Sequence, residues 1–432
     1  MPYPPQLQVQ PLARPPHAAV RVPGSKSITN RALVLAALTA SASQDTLLQG
    51  SLQSEDTEVM VECLTRLGFL VQTDWSTSSI RIRRPDGSTI VPNSAGDLFI
   101  ANSGTSMRFL TALTALGHGR FRLDGVPRMR KRPIDDLVDA LNQLGVRAVS
   151  EQGNGCPPVL IETNGLAGGM VRIKGGTSSQ FLSGLLMAAP FARGDVLIEI
   201  DGPLVSVPYV AMTVRMMRHF GLVIEAEGSR RFRVPAPQAP RAIEPYAIEP
   251  DASAASYFFG AAAIAGGEVT VADLPSDSLQ GDVRFVDVLE QMGCHVERTD
   301  QGITIRGGVL RGIDVDMNDI SDTVMTLAAV ACFAEGPTTI RNVAHIRHKE
   351  TDRLAALTTE LRRLGAGVVE CADGLTITPA LLRGAVVQTY HDHRMAMSLA
   401  LIGLKVSGVV IDNPACVAKT YPRFFDDLER LR

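Results

Sequence analysis

Residues 64–71 read LTRLGFLV, and the chain returns to this pattern four more times. The copies are LNQLGVRAV at 141–149, MRHFGLVI at 217–224, LEQMGCHV at 289–296 and LRRLGAGV at 361–368. Their shared glycines are Gly68, Gly145, Gly221, Gly293 and Gly365, spaced roughly 72 to 77 residues apart, too long for a solenoid unit. Each copy reads as an amphipathic helix, a helix-ending glycine and a β-branched strand. The closing residues FFDDLERLR stand where a sixth helix of this series belongs.

A second series interleaves with the first. Six polar starts each lead into a helix of small and apolar residues. They are SKSITNRALVLAAL from Ser25, NSGTSMRFLTALTAL from Asn102 and TSSQFLSGLLMAA from Thr177. Then come DASAASYFFGAAAI from Asp251, SDTVMTLAAVACF from Ser321 and HDHRMAMSLALIGL from His391. Helices apolar nearly all round belong inside a protein. Most are followed by glycine and an alternating strand, as in GHGRFRLDG and GGEVTVADL. The two series together predict six similar helix–strand units with two helices each. A proline-rich change of composition between residues 235 and 250 marks a boundary, with three units on each side. The segment before Val22 is expected to complete the second domain, because a hinge there needs two crossing strands.

Bulk properties narrow the function. The net charge of −3 does not favour nucleic acid, although a local basic cleft is compatible with it. Aromatic residues make up 5% with one tryptophan, Trp75, so base stacking is poorly supplied. The cysteines form no C-x-x-C pair, which argues against a zinc site or disulfide framework and fits a reducing cytosol. The N-terminal segment has no hydrophobic core of a signal peptide, and runs such as YFFGAAAIAGG are too short to span a bilayer.

The cations cluster at the helix starts. Gly24-Ser25-Lys26-Ser27 suggests a nucleotide phosphate loop, but no glycine precedes Gly24, so that spacing fails. The physics survives: a loop opening a helix offers free N–H groups, a positive dipole end, a hydroxyl and an ammonium. If equivalent ends of equivalent helices meet, they gather Lys26, Arg31, Arg108 and Arg394. GVPRMRKRP adds Arg128, Arg130, Lys131 and Arg132; IRHKETDR adds Arg347, Lys349 and Arg353; AKTYP adds Lys419. The implied ligand is small and strongly anionic, with phosphate and carboxylate together. Taken singly, Arg130 to Arg132 read better as a solvated loop, and SSQFL as an ordinary serine cap. KETDR reads equally well as a charge-paired helix start. HDHR places two histidines two apart with no acidic third ligand, which disfavours a metal.

Nine segments in order resemble the EPSP synthase (3-phosphoshikimate 1-carboxyvinyltransferase) family of enolpyruvyl transferases. They are PGSKSITNRALVLAAL, NSGTSMR, GVPRMRKRP, SSQFLSGLLMAAP, SVPYVAMT, DMNDISD, RHKETDRL, YHDHRMAM and AKTYPRFF, running from Val22 to Phe425. The resemblance implies an α/β fold of two similar domains. Each would hold three βαβαββ units with buried helices and outer sheets, an inside-out α/β barrel or α–β prism. The expected domains are residues 23–247, and residues 1–22 with 248–432, with the active site in the interdomain cleft. The implied reaction moves the enolpyruvyl group of phosphoenolpyruvate (PEP) to the 5-hydroxyl of shikimate 3-phosphate, through a tetrahedral intermediate. That is the shikimate-pathway step towards chorismate and the aromatic amino acids, and a target of glyphosate. The resemblance also implies no metal or organic cofactor; a monomer is expected, charge and composition argue against nucleic-acid and membrane partners, and the absence of a presequence signal suggests a cytoplasmic location.

Residue by residue, the resemblance assigns Lys26, Ser27 and Arg31 to the shikimate carboxylate and its surroundings. Ser178, Ser179, Gln180 and Ser206 would hold the shikimate phosphate and ring, with Tyr209, His345 and Lys349 nearby. Gly104, Arg128, Gln180, Arg353, Arg394 and Lys419 would take PEP, with Lys26 bridging both substrates. Asp322 would be the base at the 5-hydroxyl. Glu350 would exchange the C3 proton, with Lys26 a further donor. Three positions depart from the usual pattern: His345 stands for asparagine, Val207 for lysine and Phe109 for proline. The sister enzymes that act on UDP-N-acetylglucosamine fit less well. They carry Lys-Asn where this chain has Lys26-Ser27, and usually a cysteine in the loop matching GVPRMRKRP. A non-catalytic anion-binding scaffold would have no use for Asp322 and Glu350 among the cations.

Overall fold

The computed structural model describes residues 3–40, 44–240, 243 and 245–432. The chain divides into two compact units, Gly24–Ile248 and Met1–Pro23 with Glu249–Arg432. Each boundary falls one residue beyond the expected one. No helix among the described residues is long and apolar enough to cross a membrane.

The Gly24–Ile248 unit contains α1 (Lys26–Thr39), α2 (Glu55–Arg66), α3 (Gly104–Thr114), α4 (Asp135–Gln143), α5 (Ser179–Ala188) and α6 (Val207–His219). Its three sheets share one plan. Strand Ala95–Phe99 runs parallel to His118–Asp124, which pairs antiparallel with Val159–Asn164, which pairs antiparallel with Arg147–Ser150. Gly169–Lys174, Val196–Asp201, Arg231–Val234 and Glu225–Glu227 repeat that order. So do Tyr246–Ala247, Thr46–Gln49, Ser79–Arg83 and Leu70–Asp74.

The other unit contains α7 (Ala252–Ala265), α8 (Phe285–Gln291), α9 (Val324–Ala331), α10 (Arg353–Arg363), α11 (His393–Gly403) and α12 (Phe424–Glu429). His17–Val20, Glu268–Ala272, Gly302–Arg306 and His295–Thr299 form its first sheet on the same plan. Asp314–Asp316, Thr338–Arg341, Gly374–Thr378 and Gly367–Cys371 form the second. The last sheet departs from the expected βαβαββ. Val386–Val387 is parallel to Val410–Asp412, but strand Gln6–Gln8 takes the antiparallel place that a hairpin strand fills elsewhere.

The chain crosses between units twice, and the crossings exchange strands. His17–Val20 precedes α1 in sequence but pairs in the unit of α7. Tyr246–Ala247 precedes α7 in sequence but pairs in the unit of α1. Space at the first crossing is tight. A Cβ on Gly24 would lie 1.9 Å from the carbonyl oxygen of Gly50.

The five pattern glycines all have positive φ, between 75° at Gly221 and 109° at Gly293. Each closes its helix in the same way. The Phe69 N–H donates to Leu64 O at 3.1 Å and the Gly68 N–H to Thr65 O at 2.9 Å. The pairs Val146–Leu141, Leu222–Met217, Cys294–Leu289 and Ala366–Leu361 reproduce the longer bond. This is the Schellman closure, and the apolar residue after each glycine is buried with the one it bonds. A period-72-to-77 sequence signal is thus a backbone requirement stated five times.

The second series forms the interior. Every residue of α3, α9 and α11 is buried, and α1, α5 and α7 are nearly so. In one unit α1, α3 and α5 pack together; in the other α7, α9 and α11 do. Hydroxyls tie these helices at depth: Ser256 to Thr326 at 3.0 Å, and Thr326 to Ser398 at 3.3 Å. Each such bond contributes on the order of 1 kcal/mol net, and leaving one partner unsatisfied costs more.

The crossing gives a test. Gly24→Ala must push the Gly50 backbone aside, and should lower unfolding stability by about 2–3 kcal/mol in urea titration, as overpacking does. An unchanged midpoint would contradict the close approach.

Candidate active site

In the Gly24–Ile248 unit, polar side chains meet at the starts of the inner helices. Ser25 caps α1 by accepting from the Ile28 N–H at 3.4 Å. That places Lys26 in the first turn, buried, with Nζ 3.5 Å from Asp56 Oδ2 on α2. Arg31, one turn deeper, is 1% exposed. Its Nε donates to Thr213 Oγ1 at 2.7 Å and its Nη1 to Ser27 O at 2.9 Å. Its Nη2 reaches Ser183 Oγ and Tyr209 O, each at 3.4 Å. Burial pushes Arg31 down to about 10, which leaves it charged at neutral pH. Phe109 lies beneath it, with the guanidinium carbon 5.1 Å from the ring centroid. The unusual residue at 109 therefore supports Arg31 as well as filling the core.

Gly104 opens α3 behind its cap, Ser103. A Cβ there would lie 2.5 Å from Arg132 Nη2. Arg132 is 3% exposed and donates from Nη1 to Asn102 O at 3.2 Å. The solvated-loop expectation is thus corrected for Arg132, which packs on the α3 N-terminus because Gly104 leaves room. Its neighbours behave otherwise. Lys131 is exposed, and Arg130 makes a two-pronged contact with Asp124 at 2.8 and 2.6 Å. Arg128 is half-buried just before the turn Met129–Lys131. Arg108 donates to Gly104 O at 3.4 Å and to Pro133 O at 2.7 Å. Ser178 caps α5, with Ser179 buried and Gln180 half-buried behind it. Ser206 stands at the N-cap position of α6 with φ 52°, a left-handed conformation that strains a serine.

In the other unit the centre is Arg353, 1% exposed. Its Nε donates to Asp392 Oδ2 at 2.8 Å, its Nη2 to Glu350 Oε2 at 2.8 Å and its Nη1 to Asp322 Oδ1 at 3.3 Å. Burial opposes the charge, but Asp392, Glu350 and Asp322 more than offset it, so its pKa is raised. Arg394 joins the same network, donating from Nη2 to Asp322 Oδ2 at 2.7 Å and from Nη1 to the Tyr257 hydroxyl at 3.2 Å. Lys349 Nζ lies 3.9 Å from Asp322 Oδ1. Lys419 is buried at the end of the turn Pro414–Lys419, which packs against α11. Among the described residues no group of three or more His, Cys, Asp or Glu is placed to hold a metal ion.

The structure thus brings together Lys26, Ser27, Arg31 and Tyr209 in one cluster, and Asp322, Lys349, Glu350, Arg353 and Arg394 in the other. Three members went unnamed in the sequence reading. Asp392 sits at a cap position whose signal, an acid before an apolar helix, was present. Asp56 and Tyr257 reach the clusters only through tertiary packing.

The family model for EPSP synthase (3-phosphoshikimate 1-carboxyvinyltransferase) matches residues 14–428. This chain belongs to the EPSP synthase family. A 3-phosphoshikimate 1-carboxyvinyltransferase of Nostoc punctiforme is 48% identical over 98% of this chain and 99% of its own. The chloroplastic one of Solanum lycopersicum is 46% identical over 95% of this chain and 82% of its own. The solved EPSP synthase of Acinetobacter baumannii superposes with a TM-score of 0.80 at 25% identity, covering 99% and 98% of the two chains. The fold is accordingly the two-domain inside-out α/β fold of EPSP synthases.

His345, the departure from the usual asparagine, is 6% exposed. Burial, and then Lys349, push it down to about 4, so it is neutral at pH 7 and keeps one N–H to donate. In the unfolded chain a histidine takes up a proton near pH 6.5. Folding therefore holds its full stability above that pH and loses it as pH falls towards 4. His345→Asn should remove this dependence. Between pH 7.5 and 4.5 the parent should lose about 2–3 kcal/mol more than the variant, measured by denaturant unfolding at both values. Parallel losses would contradict the buried neutral imidazole.

Proposed function

We propose that this protein transfers the enolpyruvyl group of PEP to the 5-hydroxyl of shikimate 3-phosphate, giving 5-enolpyruvylshikimate 3-phosphate and phosphate. The observation that carries the reading is Asp322, a carboxylate touching the guanidiniums of both Arg353 and Arg394. Two arginines already occupied by an internal acid form a site matched to a doubly anionic ligand. When PEP draws them towards its phosphate and carboxylate, the oxygens of Asp322 become available to the substrate hydroxyl.

In the addition step the 5-hydroxyl gives its proton to Asp322 while its oxygen bonds to C2 of PEP, and C3 takes a proton from Glu350. In the elimination step C3 returns its proton to Glu350, the C2–O bond to phosphate breaks while the departing phosphate takes the proton held by Asp322, and the vinyl ether remains. Arg353 lies between the two acids and holds both in place. Lys26, with Arg128 and Lys419, completes the charge around PEP, and the N–H groups at the α3 start, over which Arg132 packs at Gly104, add to it. Ser27, Arg31, Ser178, Ser179, Gln180, Ser206 and Tyr209 take shikimate 3-phosphate, aided by Lys349 and His345. Ser206 supports this assignment, since strained caps persist where a ligand site fixes the backbone. We further propose that the protein works as a monomer in the cytoplasm. None of its six cysteines is joined in a disulfide, which suits a reducing compartment.

Phosphate release should require PEP and shikimate 3-phosphate together. Release with PEP and UDP-N-acetylglucosamine instead would overturn the substrate assignment. Asp322→Asn should keep substrate binding by calorimetry yet lose roughly 10²–10⁴-fold in kcat, the span of general base catalysis. Unchanged turnover would remove Asp322 as the base.

A further inference from the structure

Tyr390 and His391, directly before Asp392, both have φ 54°. Two successive non-glycine residues in the left-handed region are strained, and such strain persists only where neighbours over-determine it. The neighbour here is Glu360. It lies on α10 two turns after Arg353, hence on the same face, and its side chain is 0% exposed. One oxygen accepts from the Tyr390 hydroxyl at 2.7 Å. The other accepts from the Gln388 N–H at 3.0 Å and from Arg363 Nε at 2.9 Å. Asn413 adds a contact to His391 Nδ1 at 3.0 Å. Beyond the strained pair, Asp392 accepts from Arg353 and from the Arg394 N–H at 2.9 Å. Helix α10 therefore grips this loop at two points, Gln388–Tyr390 and Asp392, with the strain stretched between them.

We propose that Glu360 and Tyr390 are positioning residues: their hydrogen bond locks the left-handed loop and so sets the direction in which α11 presents Arg394. In the EPSP synthase reading, on which this inference rests, that means alignment of the PEP-binding guanidinium. Burial and the adjacent Glu360 push the Tyr390 phenol up to about 12, so it stays a donor across the working range. Neither side chain belongs to the clusters that would touch substrate.

The test is Tyr390→Phe, which removes one hydroxyl from a side chain 38% exposed and should leave the protein folded. The KM for PEP should rise about tenfold while the KM for shikimate 3-phosphate stays within about twofold. Amide hydrogen exchange at Asp392 and Arg394 should accelerate. Adding His391→Gly should bring the KM for PEP back towards the parent value, because glycine adopts positive φ without strain. Unchanged exchange and an unchanged KM for PEP would overturn the proposal. So would equal rises in both KM values with a lower melting temperature, the mark of general destabilisation. If the parent released no phosphate from the two substrates, the functional reading would fall. The exchange comparison would still decide for or against the lock.

Discussion

A helix wrapped in apolar neighbours on every side can meet charge only at its ends. That constraint governs the six inner helices. Their first-turn N–H groups have no helical partner and must be satisfied by a cap or an anion. Ser25, Ser103, Ser178, Asp251 and Asp392 each accept such a bond. Helix α9 differs: its cap residue, Thr323, makes no side-chain bond to the first turn. The acid beside it, Asp322, instead turns its carboxylate to Arg353 and Arg394. An acid that could have capped a helix pairs with two guanidiniums instead.

Arg353 carries the second constraint. A guanidinium taken out of water is tolerable only when its donors are met, and three acids from three segments meet them. The same contacts fix those acids relative to one another. Asp322 comes from the turn before α9, Glu350 from the turn before α10 and Asp392 from the cap of α11. Removing one acid would unbalance the others, so stability and site geometry are coupled through a single side chain. The Gly24–Ile248 unit has a counterpart in Arg31, which binds α1 to α5 and α6 through hydroxyl and carbonyl oxygens rather than acids.

The fold was legible because its rules are local. A Schellman closure needs a residue at positive φ with apolar residues around it, and both requirements fall within six positions of sequence. The polar starts were legible for the same reason, since caps and helix composition are short-range. The strand Tyr246–Ala247 was not legible as a neighbour of Thr46–Gln49, because two residues carry no periodicity and the partner lies far away in sequence. Glu360 in TTELRR looks like any exposed helical acid; only the loop laid over it makes it buried. Arg132 looked solvated because its neighbours are, and the vacancy above Gly104 that admits it belongs to another segment. Sequence reading found the charges brought to the helix ends and missed those brought there by packing.

The strand exchange has a consequence for how the chain emerges. Gln6 pairs with Asp412, 406 positions later, and His17–Val20 waits for Glu268–Ala272. The Gly24–Ile248 unit is contiguous and can close while the chain is still being made; the first strands cannot. They pass through synthesis as unpaired edges, which invite pairing with other chains. Pro4, Pro5, Pro11, Pro15 and Pro16 punctuate this stretch. Proline lacks the N–H that such pairing needs, so these flanking positions cannot extend a ladder with a foreign strand.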